Sequence, residues 1–240
     1  YKPKTFEMSK ADSNRQGDAA ALGKKIGFES GKELNIEQAK KEYQFGEKNK
    51  EVLLDAVELI KDLYSQGELS ATQVRQFTEM HANAMKGLIK KAASLAVLPN
   101  GKLQDLIKEY GEFNSSNWVL EHITPAQYVK ARIYEYVLSK GNAEMKTAMV
   151  ETIKNHHTTY IPKTKDTTVN RILQEDLPSG HLPGMDPLLS RYILAEHASP
   201  FDFGLTNIIT NKTYSRSPKD IPRSVILSRA GQMNRAYEAM

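Results

Sequence analysis

The sequence predicts a mainly α-helical fold: a helical bundle of about five helices, preceded by an extended N-terminal arm and followed by a less regular C-terminal region that includes a short β ribbon. Apolar residues recur at alternating spacings of three and four through most of residues 47–157, which places them on one face of successive helices. Residues 1–46 have no sustained period, and beyond residue 157 the pattern changes to shorter, less regular segments. We therefore expect an arm over 1–46 that is flexible or becomes ordered against a partner, the bundle over 47–157, and an irregular wrapping region with a terminal helix over 158–240.

Composition narrows the classes of protein to consider. With 240 residues and 40% hydrophobic content the chain can bury a core, and without cysteine it has no disulfide, thiolate metal site or thiol nucleophile.

The longest apolar run, 92–98, is far shorter than the roughly 20 residues that cross a bilayer. We expect a soluble protein without a membrane partner, cytoplasmic or packaged in a virion. Since the chain starts at Tyr1, we expect a processed piece of a larger precursor.

A long helix over residues 70–98 is the central predicted element. Ser70 and Gln73 fit a capping box at its start, and Pro99, Asn100 and Gly101 form a helix-breaking turn at its end. Its apolar face is predicted to hold Val74, Phe77, His81, Ala84, Leu88, Ala92 and Leu95. We read His81 as a core histidine with satisfied hydrogen bonds.

Two further helices are predicted before this one. Asn35 is a candidate cap for a short helix that ends near Tyr43, with Gln38 at the third position. The next helix extends from about Lys48 to Gln66 and stops at Gly67. Its predicted buried stripe is Val52, Leu53, Ala56, Leu59, Ile60, Leu63 and Tyr64.

The segment after the long helix continues the helical pattern. A helix over 103–110 is followed by a polar loop over 112–123, in which Trp118 is expected to fill the core, with ligand stacking as the alternative. Thr124 and Pro125 are predicted to be the cap and first residue of the next helix, with Gln127 at the third position. The last helix of the bundle is predicted over 143–156.

Beyond the bundle the pattern favours extended structure. Residues 158–161 are β-favouring and stop at Pro162, and residues 201–209 look extended. The sequence predicts that these two segments pair as a two-stranded ribbon. A final helix is predicted over 222–240.

No motif in the chain fixes a reaction or a ligand. The sequence has no Walker loop, GxGxxG, HExxH or serine-hydrolase elbow, so we predict no catalytic residue, no cofactor and no metal ligand. A metal-assisted hydrolase stays open as an alternative, because carboxylates and imidazoles occur near one another in three segments. These residues are Glu121, His122, His181, Asp186, Glu196 and His197.

Nucleic-acid binding is the other alternative. The net charge is +4, and basic residues are in excess at the two ends of the chain. Basic side chains with aromatic neighbours neutralise phosphates and stack on bases. The candidate residues are Lys212, Tyr214, Arg216, Lys219, Arg223, Arg229 and Arg235.

The function that the sequence favours is a non-enzymatic structural or interaction module, for example a processed piece of a virion-associated precursor. We expect its partners to be other protein subunits or copies of itself, engaged through the N-terminal arm and the C-terminal region, and we see no indication of a small-molecule substrate. This interpretation depends on an apolar interior between Lys48 and His157. A polar cleft there that gathers acids and imidazoles would contradict it.

Overall fold

The computed structural model describes residues 25–26, 33–79, 84–114, 116–164 and 204–214. Its fold is mainly α with a small mixed sheet. The helices are α1 (Ile36–Ser65), α2 (Ala71–Glu79), α3 (Ala84–Ala92), α4 (Leu103–Tyr110), α5 (Ala126–Leu138) and α6 (Ala143–Lys154). The strands are β1 (Ser94–Pro99), β2 (Trp118–His122), β3 (His157–Pro162), β4 (Leu205–Asn207) and β5 (Thr213–Tyr214). None of the helices in these ranges is long and apolar enough to cross a membrane.

Helix α1 joins the two helices that the sequence predicts separately. The predicted cap is confirmed, because Asn35 Oδ1 accepts a hydrogen bond from Gln38 N at 3.0 Å. The predicted stop near Tyr43 is wrong, since the helix continues without a break to Ser65. Residues 36–46, which the sequence assigns to the N-terminal arm, are therefore helical. Gly46, a poor helix former, is tolerated there because it lies against β1 where no side chain fits.

The central segment begins as predicted and ends differently. Ser70 and Gln73 form the predicted capping box, with Gln73 N donating to Ser70 Oγ at 3.2 Å and Ser70 N donating to Gln73 Oε1 at 2.8 Å. The helix predicted to reach Leu98 is wrong over its last part, because residues 94–99 form strand β1. All six residues of β1 are buried, and a short, continuous apolar run fits a buried strand as well as a helix.

The sheet has the strand order β2-β3-β1-β4-β5. β1 is parallel to β3, and the other three neighbouring pairs are antiparallel. The ribbon predicted between residues 158–161 and 201–209 is wrong, because β3 and β4 each pair with β1, which lies between them. Residues 201–203 lie outside the described ranges.

Two predictions around β2 and α5 need correction. Residues 118–122, predicted as loop, form β2, while the core position of Trp118 is confirmed by its burial and by the hydrogen bond from its Nε1 to Gly111 O at 3.1 Å. Pro125, not Thr124, is the N-cap of α5. The Thr124 hydroxyl instead donates to the Asn155 carbonyl at the end of α6, a longer-range bond that the local capping pattern does not reveal.

The described residues bury two apolar clusters. One lies between the sheet, α4 and the start of α1, and it includes Leu95, Val97, Leu98, Leu103, Trp118, Tyr160 and Ile161. The other lies among α1, α2, α3, α5 and α6, and it includes Leu53, Val57, Val74, Ile89, Ile133, Tyr136 and Met149. α1 contributes to both clusters, so the middle of this helix crosses the boundary between sheet and helices.

Candidate functional site

One flank of α1, beside the face that packs on these clusters, carries exposed apolar side chains. Phe45 is 59% exposed, Val52 50% and Leu59 60%. The sequence predicts Val52 and Leu59 in the buried stripe, and that prediction is wrong. A neighbouring apolar face of α1 packs against the two clusters, and the side chains at 52 and 59 therefore lie at the surface.

These exposed residues belong to a regular stripe. Six positions on this flank, from Phe45 to Leu63, are separated by four, three, four, three and four residues. We call this set the outer stripe; it consists of Phe45, Asn49, Val52, Ala56, Leu59 and Leu63, of which Ala56 also packs against the cluster among the helices. Asn49 is its one amide, and its Nδ2 donates to the Phe45 carbonyl of the preceding turn at 2.9 Å. The residues that face the interior are Gly46, Lys50, Leu53, Val57 and Ile60.

A polar cluster lies where α1 meets the sheet, and we call its four residues Glu47, Lys50, Ser94 and His157 the polar joint. Ser94 Oγ is 2.8 Å from Glu47 Oε1 and 2.7 Å from His157 Nδ1. Lys50 Nζ is 2.6 Å from Glu47 Oε1 and donates to the Lys154 carbonyl at 2.7 Å. The joint therefore ties α1 to β1, to β3 and to the end of α6.

The proton positions in the joint follow from its hydrogen-bonding groups. An ionised Glu47 carboxylate only accepts, so the single hydroxyl proton of Ser94 points to Glu47. Ser94 Oγ must then accept from His157, which assigns the imidazole proton to Nδ1. With Nδ1 protonated, Lys50 Nζ at 3.4 Å makes no hydrogen bond to it and donates instead to Glu47 and to the Lys154 carbonyl.

Burial and charge shift the titration of these groups. Burial lowers the pKa of Lys50, and the ion pair with Glu47 partly opposes this shift. Burial also lowers the pKa of His157 well below its usual value, and the positive charge of Lys50 lowers it further. The imidazole of His157 is therefore neutral at neutral pH, beside the ion pair of Lys50 and Glu47.

A pair of stacked imidazoles lies beside the joint. The rings of His122 and His156 stack with centroids 5.2 Å apart and an interplanar angle of 12°. His156 is fully buried, and its Nε2 donates to the Ile89 carbonyl at 2.9 Å. Burial, with a smaller contribution from Lys50, lowers the pKa of His156 to about 4. His157 turns the other way and stacks on Tyr43 at 6.0 Å, as expected for adjacent residues at the start of a strand.

The polar joint gathers one acid and one imidazole inside the fold, the kind of combination that would contradict an apolar interior. Its geometry differs from that of a nucleophile, however. In a serine nucleophile the imidazole accepts the hydroxyl proton, whereas His157 donates to Ser94. Ser94 is fully buried under Gly46, so its hydroxyl is not open to a substrate. This arrangement favours a structural connection between α1 and the sheet.

A further charged cluster fixes the C-terminal half of α1. Glu58 accepts from Tyr136 Oη at 2.8 Å, from Lys146 Nζ at 2.8 Å and from Lys61 Nζ at 2.9 Å. Burial alone would raise the pKa of Glu58, but the three donors together lower it to about 2. The cluster therefore connects the C-terminal half of α1 to α5 and α6.

The residues of the two alternative functions are described only in part. For the hydrolase, His122 and Glu121 lie on β2, while His181, Asp186, Glu196 and His197 lie outside the described ranges, as does His81. Within those ranges no three His, Asp or Glu side chains are grouped to hold a metal ion. For nucleic-acid binding, Lys212 is exposed before β5, and the backbone of Tyr214 lies in that strand. The structure does not describe Arg216, Lys219, Arg223, Arg229 or Arg235, so both alternatives stay predictions.

Sequence patterns missed the polar joint and the outer stripe. The only local signals of the joint are the i, i+3 pair Glu47 and Lys50 beside Gly46, since Ser94 and His157 are distant in sequence. The outer stripe has a clearer signal, because Phe45, Val52 and Leu59 recur every seven residues, a period typical of helices that pair with another helix.

Comparison of the chain with protein-family models, with curated proteins and with solved structures found no match in any of the three.

Proposed function

We propose that this protein is a non-enzymatic structural or interaction module that binds protein subunits through the outer stripe of α1. The observation that carries the proposal is the exposure of Phe45, Val52 and Leu59 on one face of a single helix. Large apolar side chains aligned on one surface mark an interaction site more often than isolated ones do. A bundle of α1, α2, α3, α5 and α6 would hold the stripe rigid.

Other contacts extend this proposal. The N-terminal arm and the C-terminal region, as predicted from the sequence, would add binding surface, and assembly into a virion is one setting for such a module. The polar joint supports a non-enzymatic role, because its serine is buried and its ion pair is satisfied within the protein.

Photo-crosslinking from the outer stripe tests the proposal. The photoreactive amino acid benzoylphenylalanine replaces Val52 in the full chain, which is irradiated both after purification and in the cells or particles that contain it. A binding surface at this position predicts covalent adducts to a defined protein, with the crosslink mapped to α1.

The matched control places the same amino acid at Glu144, an exposed position on α6. We expect few adducts from position 144, because no apolar stripe surrounds it. Equal crosslinking from positions 52 and 144, or none from position 52, would contradict the proposal.

A further inference from the structure

The spacing of the outer stripe specifies the shape of its partner. Positions that alternate by four and three residues over Phe45 to Leu63 form the a and d positions of a heptad repeat. On an isolated helix with 3.6 residues per turn such a stripe drifts around the surface, and it stays in contact only with a second helix that supercoils with it. The stripe is about 27 Å long at 1.5 Å per residue. Its partner is therefore a helix of similar length.

Asn49 indicates which helix this is. It occupies an a position in an otherwise apolar seam, and an amide buried against an apolar partner costs free energy because its hydrogen bonds stay unmade. Nδ2 of Asn49 uses one N–H on the Phe45 carbonyl, which leaves its Oδ1 and the other N–H available for a partner. The same asparagine on a second copy supplies the matching donor and acceptor when the two helices are parallel and in register.

The rest of the protein packs on one flank of α1, and this placement also favours a parallel pair. The interior-facing positions Gly46, Leu53 and Ile60 lie on one flank of the stripe, about 80° around the helix from the centre of the seam when 3.6 residues make a turn. In an antiparallel pair both folded bodies would lie on the same side of two helices whose axes are only about 8–10 Å apart, and they would overlap. In a parallel pair the two-fold axis places the bodies on opposite sides.

We propose that α1 forms a parallel, in-register coiled coil with α1 of a second copy of this chain, with Asn49 paired to Asn49 across the two-fold axis. This inference rests on the proposed function, for which it names the partner. Such a pair is isologous, so every contact occurs twice. With a seam of three heptads and one asparagine, we expect association in the micromolar range or weaker.

Sedimentation equilibrium of the full chain at micromolar to high micromolar concentrations tests the dimer. We expect a monomer–dimer equilibrium that Val52→Asp shifts at least tenfold toward monomer without loss of helical circular dichroism, because position 52 is on the surface. Glu51→Asp, at the neighbouring exposed position, should leave the equilibrium unchanged. A chain that stays monomeric throughout, or a dimer that Val52→Asp does not weaken, would overturn the inference.

The absence of native cysteine allows a clean test of orientation. In the parallel pair two copies of residue 59 face each other across the seam, whereas an antiparallel pair separates them along the helix, so Leu59→Cys should form an intermolecular disulfide under mild oxidation only in the parallel pair. Asp55→Cys, four residues away and on the outer flank of each helix, should crosslink far more slowly. Equal rates for the two variants, or rapid crosslinking only from position 55, would rule out the parallel pair.

The two proposals fail in different ways. If the chain is monomeric but benzoylphenylalanine at position 52 crosslinks to another protein, the partner is not a second copy and the interaction module stands. If position 52 crosslinks to nothing and the chain is monomeric, both proposals are wrong.

Discussion

Gly46 on α1 lies directly against Ser94 on β1: a β-carbon added to Gly46 would be 2.6 Å from both Cα and Cβ of Ser94. No real contact is that short, so glycine is required for the helix to approach the strand. The close approach also lets the neighbouring Glu47 reach the Ser94 hydroxyl.

Gly46→Ala should therefore lower the free energy of unfolding by about 1–3 kcal/mol, because the added methyl group pushes α1 away from the sheet. Gly87→Ala in α3 is the matched control, since its β-carbon meets no atom within 4 Å and alanine is the better helix former. Urea denaturation followed by circular dichroism measures both variants. If Gly46→Ala were as stable as Gly87→Ala, the close packing of α1 on β1 would be wrong.

The buried histidine next to the sheet predicts a loss of stability in mild acid. His156 has a folded-state pKa of about 4, below its usual value of 6.5, so the folded protein resists protonation. The contribution of the neutral imidazole to the free energy of unfolding is fully present above pH 6.5. It is lost as the pH falls toward 4, by roughly 3 kcal/mol in total. His157, whose pKa is also lowered, acts in the same direction.

His156→Gln retains a donor for the Ile89 carbonyl but does not titrate. The variant should be less stable at neutral pH, and its stability should fall less steeply between pH 6.5 and 4. Guanidinium denaturation at a series of pH values gives the slope. An unchanged slope would show that His156 is not the buried titrating group.

Replacement of the buried Lys50 should change the pKa values of the nearby imidazoles. Lys50 lowers the pKa of both His156 and His157, so Lys50→Met should raise both pKa values, as measured by NMR titration of the ring protons. The variant should also lose about 1–3 kcal/mol of stability, because the Lys154 carbonyl loses its donor.

Lys48→Met is the control for this substitution, since Lys48 is exposed on the same helix. We expect it to change stability by less than about 0.5 kcal/mol and to leave the imidazoles unaffected. Equal pKa values in the Lys50→Met variant and the native protein would contradict the geometry of the joint.

The Glu58 cluster predicts an acid- and salt-sensitive contribution to stability. Its carboxylate, with a pKa of about 2 in place of 4.5, stabilises the fold above pH 4.5 and loses this effect as the pH falls toward 2. Because its side chain is 32% exposed, solvent reduces the effect, and we expect Glu58→Gln to cost about 1 kcal/mol at low salt and less at high salt.

Glu51→Gln on the exposed face of α1 provides the comparison for Glu58→Gln. Thermal denaturation of both variants at pH 7, in low and in high salt, separates the two positions. If Glu58→Gln lost the same stability in low and in high salt, the contribution of Glu58 would come from packing rather than from its charge.

The sequence by itself determined the features that depend on near neighbours. The caps at Asn35 and Ser70 could be read from the residues three positions later, because a capping hydrogen bond closes within one turn. The helix ends near Gly67 and Gly111 could be read in the same way, since both residues adopt positive φ angles.

Only the tertiary structure decided which apolar segments become strands and which helix faces are buried. Residues 94–99 form a strand because β3, more than 60 positions away in the chain, supplies hydrogen-bond partners such as His157 opposite Ser94. The burial of Leu53 and the exposure of Val52 on α1 follow from packing against both apolar clusters. Local periodicity cannot choose between two adjacent apolar faces, because the choice depends on surfaces that meet only in the folded chain.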